Sequence, residues 1–456
     1  MARTPTTWEH AIVIGAGMAG LLAARVLIEH FEQVTLIERD HFPAGPEFRP
    51  GVPQGRHPHV MLLRGQQILE QLFPGITAKL LAHGAVQCDF LNDVLFVYPS
   101  GRGIRFPSNQ KGWTCTRSLV EWQVRQELQS FMAIRMVEGH EVVGLLTSSD
   151  KRRVTGVRVR ERKQTIEEPV DMTADFIVDA SGRSSHTPQW LQNLGYPAPA
   201  ETILDTGLEY ASRFYTPPAP DRLPDWKGCT IQGKPDNLRG GVVWPVEGGR
   251  WLVLLAGIGN IKAPTKEEQF LPFAQQMYDP AIYEAIKDAE PISPIYGYRQ
   301  TANRLLHYER LPDGFVTLGD SFCAFNPIYG QGMAVAAMGA LTLDRILRDY
   351  HRQGLYGTGL PLAFQRRLER TNALPWQVAS SSDYSLLGKK MENSGWMARY
   401  FEDVVTQLVP TDKLARKAFF DVVNLTGSPA LLFHPLIVLQ LLRRRMRQRP
   451  AQAEVA

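Results

Sequence analysis

The sequence predicts an α/β fold with a parallel sheet, on three observations. An apolar run at 11–14, typical of a buried parallel strand, leads into a Gly-x-Gly-x-x-Gly turn at 15–20 and then into an Ala/Leu-rich helix. A second strand at 33–37 is followed by Glu38, about 20 residues beyond the glycines. A third apolar run, at 315–318, ends in Gly-Asp and precedes a Pro/Gly loop and a long Ala-rich helix. Strand, glycine turn, helix and acid in this register predict a Rossmann-like domain that binds a dinucleotide.

The glycine turn gives each of its key positions a physical role. Gly15 makes the tight turn, Gly17 lets the backbone approach a pyrophosphate, and Gly20 lets the helix pack against the first strand. Glu38 is placed to accept a ribose hydroxyl. A glycine-rich turn without a ligand is the alternative, and the acid in register argues against it. The cofactor contacts predicted for this first block are Gly15, Ala16, Gly17, Met18, Ala19, Gly20, Glu38 and Arg39.

The block that begins at Gly319 favours FAD among the dinucleotides. Asp320 supplies a carboxylate for a polyol, and the helix after the loop offers backbone N–H groups to an electron-rich ring. FAD has both features, a ribityl chain and an isoalloxazine ring that becomes anionic on reduction. A plain helix N-terminus without a ligand is the alternative. The loop residues predicted to face the ring are Pro327, Gly330, Gln331, Gly332 and Met333. The N–H groups of the last two are expected near the pyrimidine end of the ring.

A further block at 179–183, Asp-Ala-Ser-Gly-Arg, follows another apolar strand. Together the three blocks resemble the signatures of the class A FAD-dependent monooxygenases. The segments 49–59, 179–183 and 326–333 look closer to bacterial polyether-type epoxidases and squalene epoxidase-like proteins. The resemblance covers most of the chain and implies non-covalent FAD.

The resemblance implies further contacts with FAD. Arg56 and Arg117 would bind the pyrophosphate, because a guanidinium can bind it bidentately. For each of them, a surface position without a ligand is the alternative. The chain departs from the family pattern at Ser181, where the aromatic hydroxylases have Asp, and at Leu119, which comes one position early after Arg117. The contacts implied for this part of the chain are Arg56, Arg117, Val142, Ala180, Ser181 and Gly182.

The resemblance also implies a reaction, in which reduced FAD and dioxygen form a C4a-hydroperoxide. One oxygen atom would enter a lipophilic natural-product precursor, above all by alkene epoxidation, in an apolar cavity lined by Trp244, Phe325 and Tyr329. NAD(P)H would visit transiently as reductant, because the sequence has one nucleotide fingerprint. The alternatives are an FAD-dependent reductase of isoprenoid double bonds, an aromatic hydroxylase and a non-catalytic flavin-binding protein. The sequence lacks the Trp-x-Trp-x-Ile-Pro segment of flavin halogenases.

The predicted fold is therefore an α/β, Rossmann-like FAD-binding domain of the GR2 type with an inserted mixed β-sheet and a helical C-terminal region. The FAD-binding domain is predicted to be discontinuous, at 1–200 and 301–350. Residues 201–300 are rich in Pro, Trp and Tyr with strand-like runs, and they are predicted to form the substrate domain that covers the flavin. Residues 351–456 are predicted to be helical.

Two local patterns lead to specific expectations. Ser118 is predicted to be the N-cap of a helix that ends at 131, with Glu121 completing a capping box. His57 and His59 flank a proline, and without a third ligand nearby they are interpreted as structural rather than as metal ligands. No metal is predicted.

Composition indicates an ordinary globular enzyme. The net charge is +4, and no basic patch is interleaved with aromatic residues, so no nucleic-acid partner is predicted. The four cysteines have no paired spacing, which predicts reduced thiols in a cytoplasmic protein. Residues 1–10 have no apolar core, which argues against a signal peptide, and no run approaches the roughly 18 apolar residues of a membrane span.

The C-terminal residues are open to two interpretations. Residues 429–442 are apolar except for His434 and Gln440, and they precede an Arg-rich run at 443–449. An amphipathic helix beside a basic cluster can rest on an anionic membrane. A helix packed on the protein with a solvated basic end is the alternative. The predicted location is cytoplasmic, with peripheral membrane contact as a further option.

Overall fold

The computed structural model describes residues 8–162, 168–355, 357–387 and 395–448. In chain order its strands are β1 (Trp8–Ile14), β2 (Phe31–Glu38), β3 (Val86–Asp89), β4 (Val94–Tyr98), β5 (Gly101–Arg102), β6 (Lys111–Thr114), β7 (Ile134–Glu138), β8 (His140–Thr147), β9 (Val154–Glu161), β10 (Val170–Thr173), β11 (Phe176–Asp179), β12 (Ala200–Leu204), β13 (Glu209–Thr216), β14 (Gly228–Ile231), β15 (Arg239–Val246), β16 (Arg250–Gly257), β17 (Glu290–Pro291), β18 (Tyr296–Tyr298), β19 (Asn303–His307), β20 (Phe315–Thr317) and β21 (Cys323–Ala324). The α-helices are α1 (Met18–Leu27), α2 (Leu63–Leu72), α3 (Ile76–Ala82), α4 (Arg117–Gln129), α5 (Thr187–Leu194), α6 (Glu267–Gln275), α7 (Ala281–Ile286), α8 (Gly332–Arg352), α9 (Leu360–Leu386), α10 (Trp396–Asp403), α11 (Lys413–Val423) and α12 (Pro435–Gln448).

A five-stranded parallel sheet, in the order β20-β11-β1-β2-β7, confirms the α/β fold predicted from the sequence. Its central strand β1 is buried throughout 11–14, as expected for a strand with neighbours on both sides. Ile12 and Ile37 pack with Val157 and Val159 of a second, antiparallel sheet, β10-β9-β8. This apolar contact packs the parallel sheet against the antiparallel sheet.

The register of the parallel strands brings the three sequence blocks to one edge. Ile14 of β1 lies opposite Asp179 of β11, and Asp179 lies opposite Thr317 of β20. The segments that follow these three residues are the glycine turn, the 179–183 block and the Gly319 block. Because the carboxyl ends of parallel strands share an edge, all three blocks begin together there.

The chain forms two compact units. The first comprises residues 1–83, 116–205 and 301–380, and the second comprises 84–115, 206–300 and 381–456. Residues 84–115 thus share a unit with most of the segment predicted as the inserted sheet, although they precede it by about 90 residues in the chain.

The second unit contains a mixed sheet in the order β17-β13-β16-β15-β14-β4-β5, with β18 also paired to β13. The pairing of β14 with β4 is parallel, and it adds a strand from outside 201–300 to the predicted sheet. Phe270 of α6 and Ile282 of α7 pack in the same buried cluster as Val243 and Val253 of the sheet. This cluster is the hydrophobic core of the unit.

The C-terminal helices of the second unit surround their own apolar cluster. Val404, Leu408, Ile437 and Leu441 are its buried members from the π-helical turn Val404–Leu408 and from α12. The apolar segment predicted from 429 onward is divided, because a 3-10 turn (Pro429–Phe433) precedes α12. In the part of the chain that the structure describes, no helix combines the length and the apolarity needed to cross a bilayer.

The contact between Gly20 and the glycine turn leads to a prediction about stability. A Cβ at Gly20 would lie 1.8 Å from the Gly15 carbonyl oxygen, and backbone cannot move aside as a side chain can. Gly20→Ala is therefore expected to cost about 3 kcal/mol or more of unfolding free energy. Gly144→Ala is the matched control, because its Cβ would meet only the Cβ of Arg158, at 3.9 Å. Urea titrations of both variants test this, and equal midpoints would contradict the close contact.

Candidate functional site

The three blocks touch one another at the carboxyl edge of the parallel sheet. A Cβ at Gly15 would lie 2.8 Å from the Ala180 carbonyl oxygen, and one at Gly319 would lie 2.6 Å from the Cβ of Ala19. The Gly182 N–H donates to Ser321 Oγ at 2.8 Å. Segments about 300 residues apart in the chain therefore form one continuous surface at this edge.

Gly17 and Arg117 form the end of this surface that is predicted to bind the pyrophosphate. Gly17 is the N-cap of α1 and has no side-chain cap, so the first N–H groups of the helix are available to an anion. Around a Cβ built at Gly17, Nη2 of Arg117 is the only described atom within 4 Å, at 3.8 Å. Arg117 is mostly buried, and its Nη1 donates to Glu121 at 2.7 Å. A guanidinium thus lies beside a bare helix N-terminus, as a pyrophosphate would require.

The capping predicted for α4 is wrong. The N-cap is Thr116, whose Oγ1 accepts from the Leu119 N–H at 3.2 Å, so Ser118 lies inside the helix. Thr116 keeps an extended conformation and the chain turns helical at Arg117. Glu121 therefore lies beyond the reach of a capping box, and its carboxylate instead binds Arg117 and Arg49.

Glu38 lies at the end of β2, as predicted, but its carboxylate already has protein partners. Its Oε2 accepts from the Ala16 N–H at 2.8 Å and lies 3.1 Å from Nη1 of Arg49. Its Oε1 accepts from the Asp40 N–H at 3.0 Å. Glu38 therefore holds the glycine turn in place, and its contact with a ribose hydroxyl remains a prediction.

Arg49 is a site residue that the sequence analysis missed. It is buried, donates from Nη2 to the Ala16 carbonyl at 3.0 Å, and binds Glu121 through Nε at 2.6 Å. Burial alone would lower the pKa of Arg49, but the carboxylates of Glu121, Glu38 and Asp40 raise it above its usual value. The available sequence signal was the pair of acids at 38 and 40, which need a cation once they are buried. Arg49 thus links the glycine turn to α4, behind the surface that is predicted to bind the pyrophosphate.

The structure gives the positions of three other residues that are predicted to contact the cofactor, namely Arg56, Arg39 and Val142. Arg56 ends the 3-10 turn Pro53–Arg56 and is exposed, and Arg39 is exposed beside Glu38. Val142 of β8 packs against the apolar cluster beneath the parallel sheet. Their contacts with the cofactor remain predictions.

Asp179 organises the second block. It is fully buried and accepts from the Ser181 N–H at 2.9 Å, from Ser181 Oγ at 2.6 Å, and from Ser185 Oγ and Thr187 Oγ1, both at 2.5 Å. These bonds hold the turn from Ala180 onward against Gly15. Asp179 therefore shapes the site without facing it, while Ala180, Ser181 and Gly182 lie at the edge.

Asp320 follows β20 in a 3-10 turn, and its side chain remains about one-third exposed. Its Oδ2 lies 3.6 Å from Nε of Arg183. Desolvation raises the pKa of Asp320, and the nearby positive charges of Arg183, Arg117 and Arg304 oppose that rise. The described contacts leave this carboxylate able to accept a ribityl hydroxyl.

The Pro/Gly loop ends at an open helix N-terminus. Asn326 caps the 3-10 turn Pro327–Tyr329 by accepting from the Ile328 N–H at 3.2 Å, and Gly330 takes a left-handed conformation against the Val60 carbonyl. α8 begins at Gly332, and a Cβ there would meet no described atom within 4 Å. The neighbouring Gln331 is buried with an Oε1 that has no partner among the described residues. Open space and unbonded polar groups fit a flavin ring at this loop.

The three residues predicted to line a substrate cavity fall in different units. Phe325 is buried and its ring contacts Trp376 edge-on at 6.2 Å, while Tyr329 is half-buried at the end of the 3-10 turn. Trp244 belongs to β15 of the second unit, where its ring contacts that of Phe90. Their roles toward a substrate remain predictions.

His57 and His59 lie in the segment that Gly330 contacts. Nδ1 of His59 is 2.8 Å from the His57 carbonyl oxygen. Burial lowers the pKa of His57 to about 3 and that of His59 to about 4, and Arg117 contributes to the second shift. Both imidazoles are therefore neutral near pH 7. Across the described ranges, no group of three His, Cys, Asp or Glu side chains could hold a metal.

Because the surface at Gly17 is open, a bulkier side chain at this position tests cofactor binding. Gly17 has an extended backbone that valine also adopts, so Gly17→Val protein is expected to fold. Its side chain would occupy the space between α1 and Arg117 and lower FAD affinity by more than about 100-fold, or ~2.7 kcal/mol. Gly45→Val is the control, because its Cβ would meet only Oε1 of Glu47, at 3.7 Å. Flavin content after purification is the readout, and full occupancy in Gly17→Val would refute the assignment.

Because the partly exposed carboxylate of Asp320 is available to a ribityl hydroxyl, its removal tests cofactor binding. Asp320→Ala removes the acceptor for a ribityl hydroxyl, and loss of a charge-assisted bond costs roughly 1.5–3 kcal/mol, or about 10- to 150-fold in affinity. FAD titration of the apoprotein by fluorescence quenching measures the change. Asp150→Ala, at an exposed turn, is the control for loss of charge. Equal affinity of Asp320→Ala and wild type would remove Asp320 from the cofactor contacts.

Comparison with known proteins agrees with this geometry. The family model described as FAD binding domain matches residues 9–355. Protein Rv3254 of Mycobacterium tuberculosis is 31% identical over 392 residues, which are 83% of this chain and 80% of that protein. Kynurenine 3-monooxygenase of Salinispora arenicola is 26% identical over 360 residues, which are 74% of this chain and 72% of that protein.

Solved structures share the fold. p-Nitrophenol 4-monooxygenase PnpA of Pseudomonas putida has a TM-score of 0.65 at 15% identity, over 92% of this chain and 99% of that one. The flavin-dependent brominase Bmp2 has a TM-score of 0.66 at 14% identity, over 96% of this chain and 100% of that one. At such low identity these structures establish the fold alone. The match over 9–355 shows that this chain belongs to the FAD-binding domain family, as an FAD-dependent monooxygenase.

Proposed function

We propose that the protein inserts one oxygen atom from dioxygen into an alkene of a lipophilic natural-product precursor, forming an epoxide. This assigns it to the polyether-type and squalene epoxidase-like branch of the flavin monooxygenases, which the segments 49–59, 179–183 and 326–333 resemble. A substrate of this kind partitions into bilayers, so the proposal includes peripheral membrane contact through the C-terminal helix.

The observation that carries the proposal is the open N-terminus of α8 at the same sheet edge as Asp320. Bound FAD would supply two-electron storage and the activation of dioxygen. Asp320 would accept from a ribityl hydroxyl, and Arg117 would bind the pyrophosphate. The N–H groups of Gly332 and Met333 would donate to the pyrimidine end of the ring and stabilise its negative charge.

The loop before α8 supplies apolar surface that would exclude water from the flavin. Phe325 and Met333 are 3% and 8% exposed, and the Phe325 ring contacts Trp376. A dry environment prevents side reactions of reactive intermediates with water and suits an apolar alkene. We therefore propose that Phe325 and Tyr329 line the substrate cavity.

NAD(P)H is the typical reductant of this class, and the chain favours a transient visit by it. The glycines at 354, 357 and 359 lie between α8 and α9 rather than after a strand, so they do not form a second nucleotide turn. The nicotinamide would therefore reach the flavin without a Rossmann domain of its own.

Aromatic hydroxylation is the second candidate. It is favoured by the 26% identity to kynurenine 3-monooxygenase over 74% of this chain. Reduction of isoprenoid double bonds, which would transfer hydride and no oxygen, is the alternative outside oxygenation.

Isotope labelling distinguishes the candidate reactions. The FAD-loaded protein, with NADPH and heavy-oxygen dioxygen, is expected to convert lipophilic polyenes to epoxides that carry one heavy oxygen atom. Heavy-oxygen water should leave the product unlabelled, since the oxygen derives from dioxygen. Mass spectrometry reads the result, with Gly17→Val protein as the control without flavin.

Three other results would each identify a different reaction. A labelled phenol from an aromatic substrate would replace epoxidation with hydroxylation. A saturated product without label would favour the reductase. A product that carries bromide or chloride from the buffer would indicate halogenation.

A further inference from the structure

An exposed apolar surface lies on the C-terminal helices. We call it the C-terminal apolar face, and its members share large apolar side chains of which 41% to 68% is exposed. They are Trp396, Met397, Leu431, Leu436, Leu439, Leu442 and Met446. Water-exposed leucines in such a group are costly unless something covers them, because large contiguous apolar patches are rare on soluble monomers.

These side chains form one face rather than scattered positions. In α12 the exposed residues Leu436, Leu439, Leu442 and Met446 follow a spacing of three and four, which is one side of a helix. Ile437 and Leu441, on the other side, are buried in the C-terminal cluster. α12 is thus already anchored to the protein by one side and presents a second apolar side to solvent.

The face continues onto α10. The ring of Trp396 meets that of Phe433 at 6.2 Å, and Phe433 ends the 3-10 turn before α12. Phe433 also stacks on Tyr400 at 4.6 Å, which fixes α10 to this turn. Trp396 is 68% exposed, although tryptophan is usually well covered in soluble proteins. An exposed tryptophan beside leucines is typical of a membrane interface.

The charges around the face are mainly positive. α12 contains four arginines and no acidic residue. Arg444 and Arg445 are engaged within the unit, by Gln407 and Thr411 and by Asp403, respectively. Arg443 is exposed on the same side of α12 as Leu439 and Leu442, and no described residue pairs with it. On α10, Arg399 and Glu402 are exposed and offset each other, so the excess charge comes from α12.

Resting on the membrane contact included in the proposed function, we propose that the C-terminal apolar face binds the surface of an anionic phospholipid bilayer. The leucines, Met446 and Trp396 would enter the boundary between head groups and acyl chains, and Arg443 would bind lipid phosphate. The helix would lie in the interface plane, since no described helix could span the bilayer. A parallel symmetric pairing through α12 is disfavoured, because it would bring the arginines at its C-terminal end against their own copies.

Sedimentation with vesicles tests this proposal on the FAD-loaded protein. At physiological salt, the protein is expected to bind vesicles of phosphatidylcholine with phosphatidylglycerol and to bind pure phosphatidylcholine vesicles far less. Leu436→Ser/Leu439→Ser is expected to lower partitioning more than about tenfold, and Arg443→Ala about fivefold. The controls Met132→Ser/Ile203→Ser and Arg135→Ala change exposed residues of the first unit, the two apolar ones more exposed than Leu436 and Leu439, and should leave partitioning unchanged.

Flavin content equal to that of wild type shows that each variant is folded, and it separates this test from the proposed catalytic function. Absence of binding to either vesicle would overturn the proposal. Equal effects of the test and control variants would also overturn it. A dimer in light scattering that Leu436→Ser/Leu439→Ser dissociates would assign the face to a second copy of the chain instead.

Discussion

Close backbone contact at three glycines is the constraint on which the cofactor surface depends. Gly20 brings α1 against Gly15, Gly15 packs on the Ala180 carbonyl, and Gly319 packs on Ala19. Each contact excludes a Cβ, so each position is glycine for a steric reason that holds before any ligand is present. Because the contacts join segments far apart in the chain, the helix N-terminus, Asp320 and the Pro/Gly loop take their places only together.

The buried charges behind the glycine turn balance one another. Glu38 and Asp40 pair with Arg49, Glu121 pairs with Arg49 and Arg117, and Asp40 also pairs with the half-exposed Arg162. Partners of this kind offset the desolvation that burial would otherwise impose on each group. A pyrophosphate arriving at Gly17 would therefore meet guanidinium groups that are already paired with carboxylates. The N–H groups of α1 and one side of Arg117 would supply the attraction.

The sequence predicted the parallel sheet, the glycine turn and FAD, because these depend on local patterns: apolar strands, turn glycines and an acid in register. It did not predict Arg49 or the Thr116 cap. The role of Arg49 depends on acids that approach it only after folding, and by residue type Ser118 ranks above Thr116 as a helix cap. The membership of β4 in the mixed sheet was also missed, since it follows from a parallel pairing with β14 over 130 residues of chain.

The order of strands in the parallel sheet constrains how the chain can fold during translation. β20 lies at the edge beside β11, yet it is made about 140 residues later. A nascent chain can pair β11 with β1 and β2 long before β20 leaves the ribosome, so β11 keeps an open edge with unbonded peptide groups during that interval. Asp320 and the start of α8 emerge later still. A flavin ring held at the start of α8 therefore could not contribute to the early steps of folding, and this contact could stabilise the chain only once nearly three-quarters of it has been translated.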